Sequence, residues 1–181
     1  LVAIAASYTA LALAERVASA SPRAARWWIA GGAFAMGTGI WSMHFIGMLA
    51  FRLPIPLGYD FTLTLASWLL PVLVSAVALQ VMSRPAWNVR TLLVSALLVG
   101  IGINAMHYLG MAAMRMEPGI VWDWPLVAAS IAIAIGAAAA SLWIAHRLRH
   151  PDTPHVWLIR GAAATIMGAA IVGMHYTGMA A

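Results

Sequence analysis

The sequence predicts an all-α fold, a polytopic bundle of membrane-spanning helices built from helix-pair repeats. Three observations carry this expectation. Of 181 residues, 64% are hydrophobic and only 8% are charged, where a soluble domain carries roughly 25%. Five apolar runs reach the roughly 20 residues a span requires. One short motif containing histidine recurs three times along the chain. A soluble protein of this size has no place for so much apolar surface, which excludes an ordinary cytosolic enzyme, a disordered tail and a nucleic-acid-binding domain.

The five runs are Trp27–Ala50, Phe61–Met82, Thr91–Met114, Pro125–Ala145 and Leu158–Ala181; a sixth, Leu1–Ala14, is shorter. They lack period-2 alternation and are rich in Ala, Leu and Gly, so strands are not expected. The connections are Glu15–Arg26, Phe51–Asp60, Ser83–Arg90, Arg115–Trp124 and His146–Trp157, all too short to separate domains. The chain opens at Leu1 and closes inside an apolar run, and it is read as a single domain over residues 1–181 belonging to a longer polypeptide. With no Cys there is neither a disulfide framework nor a thiolate metal site.

The pI near 10.8 reflects ten Arg residues and five acidic ones. Eight of the Arg (Arg16, Arg23, Arg26, Arg84, Arg90, Arg147, Arg149, Arg160) fall at the first, third and fifth connections, and only Arg52 and Arg115 at the second and fourth. This bias places the odd connections in the cytoplasm. Trp27, Trp28, Trp87, Trp143 and Trp157 then sit near the inner interface and Trp122 and Trp124 near the outer one, as aromatic belts. Trp41 and Trp68 lie mid-span and are expected to pack.

The repeated unit has the core Met-His-aromatic-x-Gly-Met: Met43-His44-Phe45-Ile46-Gly47-Met48, Met106-His107-Tyr108-Leu109-Gly110-Met111 and Met174-His175-Tyr176-Thr177-Gly178-Met179. The histidines are 63 and 68 residues apart. Arg52 and Arg115 follow eight residues after the first two, and Asp60 and Asp123 sixteen after. Each histidine lies 16 or 17 residues from the cytoplasmic start of its run, about 25 Å deep at about 1.5 Å per residue, so the second, fourth and sixth spans can bring their motifs together at one level near the outer face.

An imidazole inside a span is costly and needs a partner, and three at one depth point to a shared site. His44/Met48, His107/Met111 and His175/Met179 are four apart, one turn apart on one helix face. Met43, Met106 and Met174 point to a flank. Gly47, Gly110 and Gly178 leave room beside the face for another helix or a ligand. Imidazole with thioether, in the absence of Cys and of oxygen clusters, favours copper over zinc, magnesium or calcium. Copper held by His44, His107, His175, Met48, Met111 and Met179, flanked by Met43, Met106 and Met174, is therefore expected, with either a subset of these donors at one site or two sites. The alternatives are a haem-binding membrane electron carrier and a copper or proton transporter, although a transporter would spread its donors over several depths. Asp60 and Asp123 are read as N-caps of the following helices, with Arg52 and Arg115 as exposed ion-pair partners. His146, His150 and His155 belong to an inner connection and are read as unrelated to the trio.

Met174-His175-Tyr176-Thr177 spells the motif of the MHYT domain, and Met106-His107-Tyr108-Leu109 and Met43-His44-Phe45-Ile46 resemble its degenerate copies. Ser7-Tyr8-Thr9-Ala10-Leu11 is similar to that domain's first helix, although Ala12 stands where many members carry an acidic residue, which puts a role of that helix in the site in doubt. The resemblance spans essentially the whole chain. It implies a multi-pass sensory domain of the bacterial inner membrane, proposed to bind copper through Met and His near the periplasmic face and through it to sense oxygen, carbon monoxide or nitric oxide. It also implies a seventh helix leading to a cytoplasmic output domain on the same chain, often one that handles cyclic di-GMP and usually works as a dimer. The expected partners are the lipid bilayer, a diatomic gas and that output domain, with no nucleic acid. On this reading the segment itself is not an enzyme.

Overall fold

The computed structural model describes residues 1–50, 54–84, 88–148 and 155–181. Among them are six helices: α1 (Val2–Ser19), α2 (Pro22–Ala50), α3 (Phe61–Met82), α4 (Val89–Ala112), α5 (Trp124–Arg147) and α6 (Val156–Met179). Helices α2 to α6 are each long and apolar enough to cross a membrane. Leu69, Leu73, Leu93 and Ile166 are among the large apolar side chains left exposed on the outside of the bundle, as expected for a lipid-facing surface.

Each helix packs against the next, and α1 packs against α6, so the six close into a ring. Glycines seven residues before each motif histidine let the helices approach closely. A Cβ at Gly37 would meet the backbone of Pro71 and Val72 in α3, one at Gly100 the backbone of Ile135 in α5, and one at Gly168 the backbone of Ile4 in α1. The same contact thus recurs at α2–α3, α4–α5 and α6–α1, and α1 stands to α6 as α3 stands to α2. In register with that contact, Leu11, Leu79 and Leu142 are all at or below 2% exposure in the core.

Several helix boundaries differ from those expected. Helix α1 runs past Glu15 and Arg16 to Ser19, and α2 starts at Pro22, leaving a break of two residues. Pro fits the first turn of a helix, and the Arg16 guanidinium lies 5.1 Å from the Trp28 ring, where a long stem carries charge to the interface. Arg160, counted above with the fifth connection, lies inside α6, pairs with Glu15 of α1 at 2.7 Å, and donates to the Leu148 carbonyl. Helix α4 ends at Ala112 rather than Met114 because Met114–Arg115 forms a two-residue strand, β2, antiparallel to β1 (Gly58–Tyr59). Those two connections are therefore not free of strands; they are pinned to each other.

Trp41 and Trp68 pack as expected and also make reciprocal bonds between α2 and α3: Trp41 Nε1 donates to Ser67 Oγ and Trp68 Nε1 to Thr38 Oγ1, both at 3.0 Å. Trp122 does not simply face the interface. It packs on the Tyr108 ring, 5.3 Å between centroids, as part of an apolar cap over the C-terminal ends of the even-numbered helices. Trp27, Trp28, Trp124, Trp143 and Trp157 are exposed as a belt requires. Arg52, Trp87, Arg149 and His150 lie outside the described residues.

Candidate metal centre

Helices α2, α4 and α6 run in one direction, so equal depth in the sequence becomes equal height in the ring. His44, His107 and His175 meet on the axis at 1%, 0% and 1% exposure. Their Nδ1 atoms converge: His44 Nδ1 is 3.2 Å from that of His107 and 3.2 Å from that of His175. The rings stand edge to face, with interplanar angles of 71°, 90° and 89°. The arrangement is a three-bladed propeller of imidazoles.

The motif glycines make it possible. Each ring's Nε2 edge occupies the space where a side chain on the next motif's glycine would stand: His44 against Gly110, His107 against Gly178 and His175 against Gly47. The gap beside the histidine face is therefore filled by a second motif's histidine, and the contacts pass cyclically from α2 to α4 to α6 and back.

On their own, the three imidazoles can satisfy only one of the two short Nδ1 contacts. A neutral imidazole nitrogen carries one proton or one lone pair, so His44 Nδ1 does not make two ordinary hydrogen bonds to two facing nitrogens. The three Nε2 atoms are buried without a partner. A cation among the three Nδ1 atoms answers the convergence. Imidazole nitrogens about 2.0–2.1 Å from one ion stand roughly 3.3–3.5 Å apart, close to the 3.2 Å observed. The described residues contain this one cluster of three potential His, Asp, Glu or Cys ligands. A porphyrin fits poorly: it needs a slot between two axial imidazoles, and here the three rings face one another with their outer edges closed by glycines.

The methionines separate into groups. Met48 and Met111 are buried, and with Phe45 they form the cap cluster against which Met179, Met114, Trp41, Tyr59, Ile120 and Trp122 pack. The expected i+4 methionines thus gather beyond the histidines, toward the C-terminal ends of the even-numbered helices. Met174 turns the other way into the main core. Met106 is 1% exposed and Met43 half-buried, and neither joins either cluster.

Asp60 and Asp123 cap α3 and α5 as expected, accepting from Leu63 N at 2.9 Å and Leu126 N at 3.2 Å. Asp60 also pairs with Arg115, the arginine of the next repeat. The Leu63 amide, and after it Arg115, hold its carboxyl below the usual range. The backbone repeats the link: Asp60 N donates to Ala113 O and Asp123 N to Ala181 O. Tyr59, in the cap, has a buried hydroxyl without a partner, and burial pushes its phenol up. His146 and His155 lie at the end of α5 and the start of α6, opposite the trio.

Sequence reasoning missed a second pair of sites. Ser67 and Ser130, each seven residues after a capping Asp, are fully buried and bond to the even helices: Ser67 accepts from Trp41, and Ser130 donates to Asn104 Oδ1 and pairs with the Tyr108 hydroxyl. Trp41 and Asn104 both stand three residues before a motif histidine, and their differing chemistry hid the equivalence.

The family model described as "Bacterial signalling protein N terminal repeat", MHYT, matches twice, at residues 37–95 and 100–157. Over its full length the chain is 59% identical to the bifunctional diguanylate cyclase/cyclic di-GMP phosphodiesterase MucR and 42% identical to the cyclic di-GMP phosphodiesterase NbdA, both of Pseudomonas aeruginosa. It is 38% identical to the signaling protein YkoW of Bacillus subtilis. The chain spans about a quarter of the length of these curated relatives (26%, 23% and 23%). No solved structure matches. Three spaced motifs, the repeat match and these identities together show that the chain belongs to the MHYT family of signalling domains.

Proposed function

We propose that this MHYT domain is the input module of a membrane signalling protein, holding copper at the His44–His107–His175 cluster near the periplasmic face of a bacterial inner membrane. The observation that carries the reading is the convergence of three buried histidines whose two short Nδ1 contacts cannot both be hydrogen bonds and whose Nε2 atoms have no partner. Met48, Met111 and Met179, gathered just beyond the rings, supply soft thioether donors on the outer side and favour copper among the metals imidazole takes. Copper there would supply a redox-active centre able to take a diatomic gas, oxygen, carbon monoxide or nitric oxide. The protein holds the donors rigid: glycine contacts set each ring, and the cap cluster keeps bulk water away. A ligand shifts a helix arrangement only by its differential affinity for two states. With the rings seated on α2, α4 and α6, a change in ring position moves those helices toward the cytoplasmic end. By analogy with MucR and NbdA, an output on the same chain would then change cyclic di-GMP turnover.

Metal analysis of detergent-purified protein tests this. Copper near one equivalent after reconstitution, lost in the triple His44→Ala/His107→Ala/His175→Ala variant, is expected. Near-zero copper, or copper unchanged in the triple variant, overturns the reading.

A further inference from the structure

Beneath the histidines lies a partly open cavity of about 80 Å³, lined from all six helices. Its upper wall includes Ile40, Ile103 and Ile171, each one turn before a motif histidine. On the odd helices most of the lining residues are small, at matching positions: Ala6, Val74 and Ala137, then Ser7, Ser75 and Ala138, then Ala10, Ala78 and Ser141. Interiors are close-packed and voids larger than a water are few, so a void walled by small residues at matching positions of three helices is a built feature. Among the serines that line it, Ser7 stands out. Ser7 lines the cavity at 3% exposure, and its Oγ has no hydrogen-bond partner.

We propose that this cavity is a binding site for a small, largely apolar molecule of diatomic size, held one helical turn below the Nδ1 cluster. Apolar walls suit such a guest: a cavity of about 150 Å³ lined by aliphatic and aromatic side chains stays dry and takes xenon. An ordered water needs two to four polar partners, and the walls here offer only scattered serine hydroxyls. The Ser7 hydroxyl gives a diatomic guest one weak donor. The site places a reservoir of guest next to the rings, separated from them by the isoleucine layer. Naming diatomic gases as the guest class rests on the sensor reading; the cavity's ability to hold a small apolar molecule does not.

Xenon is the probe, applied to the full-length protein in nanodiscs with labelled isoleucine δ1-methyl groups. Saturable xenon-induced shifts confined to Ile40, Ile103 and Ile171 are expected, falling at least fivefold in Ala138→Leu, which fills the cavity. His44→Ala should lose copper and keep the xenon response, separating failure of the metal centre from failure of the cavity. No saturable shift in the wild-type protein, or the same response in an Ala138→Leu variant of unchanged helicity, overturns the proposal. Saturable shifts spread over lipid-facing isoleucines such as Ile46 and Ile166 overturn it as well.

Discussion

The Nε2 edge of His44 rests where a methyl group on Gly110 would have to stand. Ring and glycine come from different repeats, so each motif supplies a histidine to the cluster and a seat for its neighbour's. Gly110→Ala should therefore act on the cluster although it removes no donor. Overpacking a filled site costs about 1–3 kcal/mol, and the displaced His44 ring should lower copper content as far as His44→Ala does. Gly173→Ala, at a glycine with open space around it, should leave copper content unchanged. Copper stoichiometry and thermal unfolding of the two glycine variants check this, and equal copper in both would remove the seat from the mechanism.

On the proposed reading, a metal held among the three rings makes folding stability depend on that metal. A ligand that binds only the folded state at a hundred times its dissociation constant adds about 2.7 kcal/mol. Copper(I) should raise the unfolding temperature of the wild-type protein in detergent, a chelator should reverse the rise, and His107→Ala should abolish it. An unfolding temperature indifferent to copper in the wild-type protein counts against a metal among these rings.

Acid should loosen the histidine end of the bundle through Asp60. Its folded carboxyl is held below its ordinary value by the Leu63 amide and then by Arg115. A depressed carboxylate contributes stability that is fully present above the unfolded value, near 3.9, and is lost as pH falls through the folded one. Unfolding temperature should hold down to about pH 4 and drop below it. Asp60→Asn keeps a capping oxygen and gives up the charge, so it should flatten that drop while lowering the plateau slightly. A drop as steep in Asp60→Asn as in the wild type would move the acid response elsewhere.

Sequence legibility followed chemistry. The even-numbered spans, the common depth of His44, His107 and His175, and the Asp60 and Asp123 caps were all legible because polar groups inside or beside apolar runs stand out. The need for space at Gly47, Gly110 and Gly178 was legible too; that a second histidine fills it was not, since periodicity gives a face and not its neighbour. The kinship of α1 with α3 and α5 was hidden for the opposite reason. Ser7, Ser75 and Ala138, or Leu11, Leu79 and Leu142, are ordinary residues for a span, and only the contact of Gly168 on Ile4 reveals their common register. The doubt that Ala12 raised about α1 resolves in part: α1 contributes none of the three rings, yet Ala6, Ser7 and Ala10 wall the cavity beneath them. The end of α4 was misjudged because Met114 reads as one more apolar residue until its pairing with Tyr59 is seen.

Glu15 and Arg160 join the first helix to the last at the end opposite the histidines, and their unequal burial predicts an asymmetry. The Arg160 side chain is 11% exposed and Glu15 30%. Arg160 also donates to the Leu148 carbonyl, which ties the end of α5 into the same corner. Glu15→Leu strands a buried guanidinium, and breaking a buried pair from that side costs about 3–5 kcal/mol. Arg160→Met leaves a carboxylate with water at hand, so its cost is that of lost charged hydrogen bonds, about 1.5–3 kcal/mol. The double variant removes both charges and should lose less than the two single variants together, because residues in contact do not add. A thermal double-mutant cycle in one detergent measures all three terms. Additive losses, or Arg160→Met costing more than Glu15→Leu, would show that α1 is held to α6 by its packing on Gly168 and not by this pair.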